Sequence, residues 1–210
     1  MYIPAEIGGD FYIYIRRKMI YNSIYIKRKG KCAMVLVVSQ IIGLAAVGLY
    51  LLSYQLKKRK QIVWTTFFSN VLYVLQYILL GAFSGAVMDT LCTLGSFFAG
   101  KKHSPELRPY IKWIAVINLI IIAVVGVSIA VVQRDIVELL PVVGTLFQTG
   151  GLWCENEQTI RKFGLCSVPF WLVYNYITQA YGAALGSVFV IVSAVTAMIR
   201  YRKKENLTDN

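Results

Sequence analysis

Residues 70–89 read NVLYVLQYILLGAFSGAVMD, and residues 171–190, 101 positions later, read WLVYNYITQAYGAALGSVFV. Tyr73 falls on Tyr174, Gly81-Ala82 on Gly182-Ala183, and Gly85 on Gly186. The overlay extends without a gap from 39–102 onto 140–203. It sets Gly43 on Gly144, Lys60 on Arg161, and Lys101-Lys102 on Arg202-Lys203. Each copy holds three apolar segments, and a seventh lies between the copies. A membrane unit stated twice is the mark of folds built from internal repeats.

Composition agrees with a membrane environment. The chain has 210 residues, 57% hydrophobic and only 15% charged, with a mean hydropathy of +0.59. Soluble domains carry roughly 25% charged residues. Charges nearly vanish from 34–56, 62–80, 82–100, 111–132, 136–153, 163–181 and 182–199. Each run approaches the ~20 residues that a helix needs to cross the hydrocarbon. The runs are continuous and lack the dyad alternation of ~10-residue barrel strands. In lipid each segment must satisfy its own backbone, so the runs are helices. The reading is an all-α membrane protein with seven transmembrane helices, and the bilayer is its first partner.

The net charge of +12 does not indicate a nucleic-acid partner. The basic residues sit at segment ends, with no basic stripe interleaved with aromatics. One set of loops and the C-terminal tail hold Lys57, Lys58, Arg59, Lys60, Lys101, Lys102, Arg108, Lys112, Arg161, Lys162, Arg200, Arg202, Lys203 and Lys204. The other side of the same region holds only Arg134. The positive-inside rule then expects a cytoplasmic C-terminus and an outer start for the first helix.

Residues 1–33 run against this, since Arg16, Arg17, Lys18, Lys27, Arg28, Lys29 and Lys31 would lie outside. The segment has no signal-peptide core with a cleavage site. Three readings stand: translation from Met34 with 1–33 a mis-called start, a basic segment lying on the membrane surface, or an inverted topology. The first removes the conflict and is preferred.

Three helices per copy is odd, so two copies in direct succession would insert with opposite sense. The extra helix in 103–135 restores it. The expected plan is two parallel three-helix repeats, 34–102 and 136–204, joined by that connector and followed by a tail at 205–210. The pairs Gly81/Gly85 and Gly182/Gly186 are placed in the turn between the second and third helices of each copy. There they would serve tight turning and close packing. Pro141, set opposite Gln40, is a candidate hinge.

Candidate site residues lie on the second helix of each copy. Asn70, Tyr73, Val74 and Tyr77 have counterparts Trp171, Tyr174, Asn175 and Thr178, at the i, i+3, i+4, i+7 spacing of one helical face. Asn70, Tyr73, Tyr77, Trp171, Tyr174, Asn175 and Thr178 therefore form two polar-aromatic stripes. One reading is a substrate pocket with aromatic walls and a few hydrogen-bonding groups. The other is interhelical glue, which amides and hydroxyls also supply in lipid. Asp89 is the one acid well inside an apolar segment. An acid there is a functional candidate by default, here for ion coupling, with Val190 as its counterpart and no symmetric partner. Cys32, Cys92, Cys154 and Cys166 show no zinc or redox spacing, and Cys154 and Cys166 flank one loop. His103 stands alone in a loop. With no triad, phosphate loop, dinucleotide fingerprint or metal cluster, the chain is read as no enzyme and as needing no cofactor or metal.

Three stretches together carry a family resemblance: SYQLKKRKQ at 53–61, YILLGAFSGAVMD at 77–89, and IRKFGLCSVPFWLVYNYITQAYGAALG at 160–186. The chain resembles the YgjV-type bacterial inner membrane proteins over about 36–204. That resemblance implies the bacterial inner membrane, with no established activity. The family's third helix commonly carries an asparagine and then an arginine; this chain has Asp89 and no such arginine. The 3+1+3 plan is similar to that of SWEET sugar carriers and PnuC vitamin transporters, although the Pro-Gln dipeptide of PQ-loop relatives is absent. The leading expectation is a carrier of a small neutral or aromatic metabolite. The alternative is a non-transporting scaffold or partner subunit. Homo-oligomerisation is left open.

Overall fold

The computed structural model describes the backbone of residues 33–208. The expectations for the segment before Ala33 lie outside the described residues. Among those described there are seven α-helices, one short 3-10 turn and no strand. They are α1 (Ala33–Gln55), α2 (Arg59–Leu80), α3 (Phe83–Gly100), α4 (Ile111–Gln133), α5 (Leu139–Leu152), α6 (Glu157–Ile177) and α7 (Tyr181–Thr208). The 3-10 turn, Ile136–Glu138, leads into α5. Three helices have the length and hydropathy to span a membrane by themselves: Met34–Gln55, Arg59–Leu80 and Ile111–Gln133. Ile136–Leu152 and Tyr181–Ser193 are shorter apolar helices.

Large apolar side chains cover much of the exterior, and many polar side chains are buried beside the apolar core. Val116, Ile117, Ile120, Ile121, Val124 and Val127 of α4 are all exposed, as are Leu185, Val188, Phe189 and Val192 of α7. The buried set includes Ser69, Asn70, Gln76, Asp89, Gln148, Thr149, Ser167 and Asn175. An apolar exterior with polar groups gathered inside is what a lipid solvent selects, because polar groups must find one another.

Six helices close into a ring. Each is packed on the next in the order α1, α2, α3, α5, α6, α7, with α7 returning to α1. α4 stands outside and packs on α3 and α5. At one end of the ring Arg59 ties three elements together. It donates to the carbonyls of Leu152 at 2.8 Å, Cys154 at 2.9 Å and Ala99 at 3.3 Å. Lys102 donates to the Trp153 carbonyl at 2.8 Å, and Arg161 to the Leu56 carbonyl at 2.7 Å. Cations therefore meet the orphan carbonyls at the C-terminal ends of α1, α3 and α5, where the helix dipole is negative. Glu155 binds Lys102 at 2.7 Å and lies 3.7 Å from His103. The Lys102 hydrogen bond holds the Glu155 carboxyl below its usual range, and the charges of Lys102, Arg59 and His103 act in the same direction. The basic loops α1–α2, α3–α4 and α5–α6 thus share one end of the molecule.

At the other end the turns correct the expected glycine roles. Gly81 sits at φ 72° after α2, and Ala82 N–H reaches back to the Tyr77 carbonyl at 3.0 Å. After α6 the left-handed residue is Gln179, at φ 62°, and Ala180 N–H reaches the Asn175 carbonyl at 2.9 Å. Gly182 is not in that turn; it lies in the first turn of α7, where its N–H donates to Gln40 Oε1 at 2.8 Å. Gly85 and Gly186 are likewise inside α3 and α7. Gly85 lies against the Tyr174 ring, and Gly186 against Val47.

The two left-handed residues, Gly81 and Gln179, are 98 positions apart, not 101. The same 98 separates the starts of α2 and α6 (Arg59, Glu157) and of α3 and α7 (Phe83, Tyr181). Helix ends therefore recur three residues earlier than the best residue match. Three residues are about 300° of α-helix, so this slip turns each face by roughly 60°.

Pro141 lies in the first turn of α5, just after the 3-10 turn, where a missing N–H costs little. The proline inside a helix is Pro169 of α6. Cys154 precedes α6, whereas Cys166 is an exposed residue well within it, so the two do not flank one loop.

Candidate functional site

Inside the ring lies a cavity of about 390 Å³, counting the part that opens outward. All six ring helices wall it and α4 does not. α1 contributes Tyr50, α2 Tyr73 and Tyr77, α3 Asp89, and α5 Gln148. α6 contributes Ser167, Val168, Trp171 and Asn175, and α7 Ser187 and Val190. A second space of about 290 Å³ adjoins it toward the basic end, sharing Tyr50 and Gln148 and reaching Arg161 and Gly164. Tyr50 and Gln148 thus stand where the two spaces meet.

The lining obeys the 98-residue offset. Tyr50 and Gln148, Tyr73 and Trp171, Tyr77 and Asn175, and Asp89 and Ser187 are each 98 apart, and all eight face the first cavity. At that spacing Asp89 pairs with Ser187. Val190 lines the same cavity.

Of the stripe residues, Tyr73, Tyr77, Trp171 and Asn175 come together at the cavity, while Asn70, Tyr174 and Thr178 are engaged elsewhere. Tyr73 and Tyr77 are stacked at 6.3 Å, and Tyr77 and Trp171 at 5.9 Å, with interplanar angles of 20° and 18°. The three rings make a continuous aromatic wall. The Tyr77 hydroxyl donates to Asn175 Oδ1 at 2.5 Å, tying α2 to α6 across the ring.

Asn70 is fully buried and accepts from Gln148 Nε2 at 3.0 Å. Its own amide donates to Cys92 Sγ and Ser96 Oγ, both at 3.3 Å. The Tyr174 hydroxyl accepts from Gly85 N–H at 2.9 Å and lies 2.8 Å from Ser84 Oγ. Thr178 bonds back to the Tyr174 carbonyl at 2.9 Å and caps α6.

Asp89 is 3% exposed and lines the cavity. No side chain or backbone N–H among the described residues donates to its carboxyl, and no Lys, Arg or His lines the cavity with it.

Residues 37–205 match the Imp-YgjV family, described as a bacterial inner membrane protein. The chain belongs to that family. It is accordingly a membrane protein of a bacterial inner membrane family, and the apolar helices are the segments suited to that environment. No curated protein matches the chain, and no solved structure does.

Three features of this family member escaped the stripe argument. Tyr50 and Gln148 have no shared pattern with each other, and only the 98-residue register relates them. Glu138 is a buried acid that accepts from Ser84 Oγ; its segment start could have flagged it. Gln76 is fully buried with neither amide atom bonded, pressed against Gly43 of α1. Its place three residues after Tyr73, on the stripe's flank, was the available signal.

Proposed function

We propose that this Imp-YgjV protein is a seven-span carrier of a small metabolite, built from two parallel three-helix repeats with α4 as connector. The observation that carries the reading is the cavity: it is walled by all six ring helices and holds a buried acid without a partner. Exchanging α1 with α5, α2 with α6 and α3 with α7 maps every packed pair of the ring onto another packed pair. That is the pattern of a pseudo-two-fold axis along the membrane normal. The clustering of the basic loops at one end supports a cytoplasmic placement for that end and for the C-terminus.

In this reading the α1–α2–α3 half and the α5–α6–α7 half rock about the cavity. Tyr73, Tyr77, Trp171 and Asn175 contact the substrate, and Asp89 supplies the charge for coupling. The bonded state of Asn70, Tyr174 and Thr178 favours the second reading, a non-transporting scaffold whose polar residues are glue.

A thermal-shift screen of the purified protein against vitamins, sugars and nucleosides separates the two. The carrier reading expects a stabilising ligand whose effect is lost in Asn175→Leu. Silence throughout, together with a Ser187→Cys variant that no small thiol reagent reaches, would favour the scaffold. A C-terminal fluorescent or phosphatase fusion reports the orientation.

A further inference from the structure

Asp89 is the one acid among the described lining residues, and no base lines the cavity with it. An unpaired carboxylate held away from water is costly, so an entering positive charge would be favoured there. The rest of the lining decides what kind of cation fits.

Inorganic cations want several free oxygens at fixed distances. Several of the cavity's polar side chains already bond within the ring. Ser167 Oγ donates to the Gly164 carbonyl at 2.6 Å and Ser187 Oγ to the Ala183 carbonyl at 3.0 Å. Asn175 Oδ1 accepts from Tyr77, and Gln148 Nε2 is given to Asn70. Beside Asp89 the lining also offers aromatic surface, the stacked Tyr73–Tyr77–Trp171 wall. One carboxylate with aromatic faces is the combination that binds organic ammonium groups, through charge and ring quadrupole together.

We propose that the cavity binds a small organic monocation, its ammonium or amidinium group on Asp89 and its body along Tyr73, Tyr77 and Trp171. This rests on the carrier reading and narrows its substrate class from neutral metabolites to amines. Ser187 at the matched position makes the cavity's charge one-sided, so the ligand would be oriented with its positive end toward α3.

The test compares probes that differ mainly in charge, on the full-length protein purified in detergent. Benzylammonium is set against benzyl alcohol, with sodium chloride against choline chloride as a further pair. The proposal expects benzylammonium to bind at least tenfold more tightly than benzyl alcohol by calorimetry. It expects Asp89→Asn to erase that preference, and Trp171→Phe to weaken benzylammonium several-fold. If Asp89→Asn does not fold, the wild-type ratio still decides.

Equal binding of the two benzyl probes would overturn the cation assignment, and so would a wild-type protein stabilised by sodium but not by benzylammonium or choline. Absence of binding by either benzyl probe overturns it as well. The carrier reading is judged separately. It survives any of these results if a neutral compound from the broader screen stabilises the protein in an Asn175-dependent way, and it falls with the inference if none does and Ser187→Cys stays unreactive.

Discussion

Helices α2 and α6 occupy equivalent places in the ring, yet their polar side chains have different fates. Tyr73 and Trp171 share one wall of the cavity, and Tyr77 and Asn175 are bonded to each other. Behind them the matched pair is Gln76 and Tyr174. Tyr174 fills its bonding capacity with Gly85 and Ser84. Gln76, equally buried, bonds to nothing among the described residues. Polarity inside such a bundle is therefore no guide to role: one tyrosine is wall, another is glue, and one amide is a cost without a visible return.

Five substitutions sharpen the contrast, each read as thermal or denaturant stability of the purified protein. Asn70→Leu is expected to cost most, about 2–3 kcal/mol. It removes three bonds worth ~0.6–1.7 kcal/mol each in membrane proteins and strands Gln148. Survival of the protein at wild-type stability would contradict the assignment of Asn70 as glue.

Tyr174→Phe follows at about 1–2 kcal/mol, because the Gly85 N–H then has no acceptor. Gln76→Met is expected to act in the opposite direction. Replacing an unbonded buried amide with a flexible apolar chain should stabilise by about 1 kcal/mol, and destabilisation would reveal a partner for Gln76.

Glu155→Gln should have a small effect that depends on pH. The carboxyl's folded pKa lies below its unfolded value, so its contribution is present above the unfolded pKa of about 4.3 and fades as pH falls through the folded value. The variant should be slightly less stable than the wild type at pH 7 and indistinguishable from it at low pH. Tyr73→Phe should leave stability unchanged within about 0.5 kcal/mol, since no bond of the Tyr73 hydroxyl holds the fold. A loss as large as that of Tyr174→Phe would place Tyr73 with the glue.

The seven helices were legible because lipid-spanning runs carry few charges, and α1 through α4 begin and end within about three residues of the charge-poor segments. Gly81 was legible as a turn glycine, since its position has φ > 0 and a residue without Cβ takes it freely. Gly182 was not, because Gln179 took the left-handed position and left the glycine for packing on Gln40. Tyr174 and Asn70 looked like pocket residues for the same reason that Tyr77 and Asn175 did: spacing marks a face but does not say what the face meets.

By itself the sequence determined the apolar helices, the basic end and a duplicated pattern, because these follow from hydropathy, charge and local identity. The positions of the helix ends were decided only by tertiary structure. Helix ends are set by turn chemistry and by Arg59, Lys102 and Arg161 capping neighbouring helices, and those contacts lie far apart in the chain. They set the starts of α2 and α6, and of α3 and α7, 98 residues apart. The same packing engages Asn70 and Tyr174 in hydrogen bonds and leaves Asp89 and Ser187 lining one cavity.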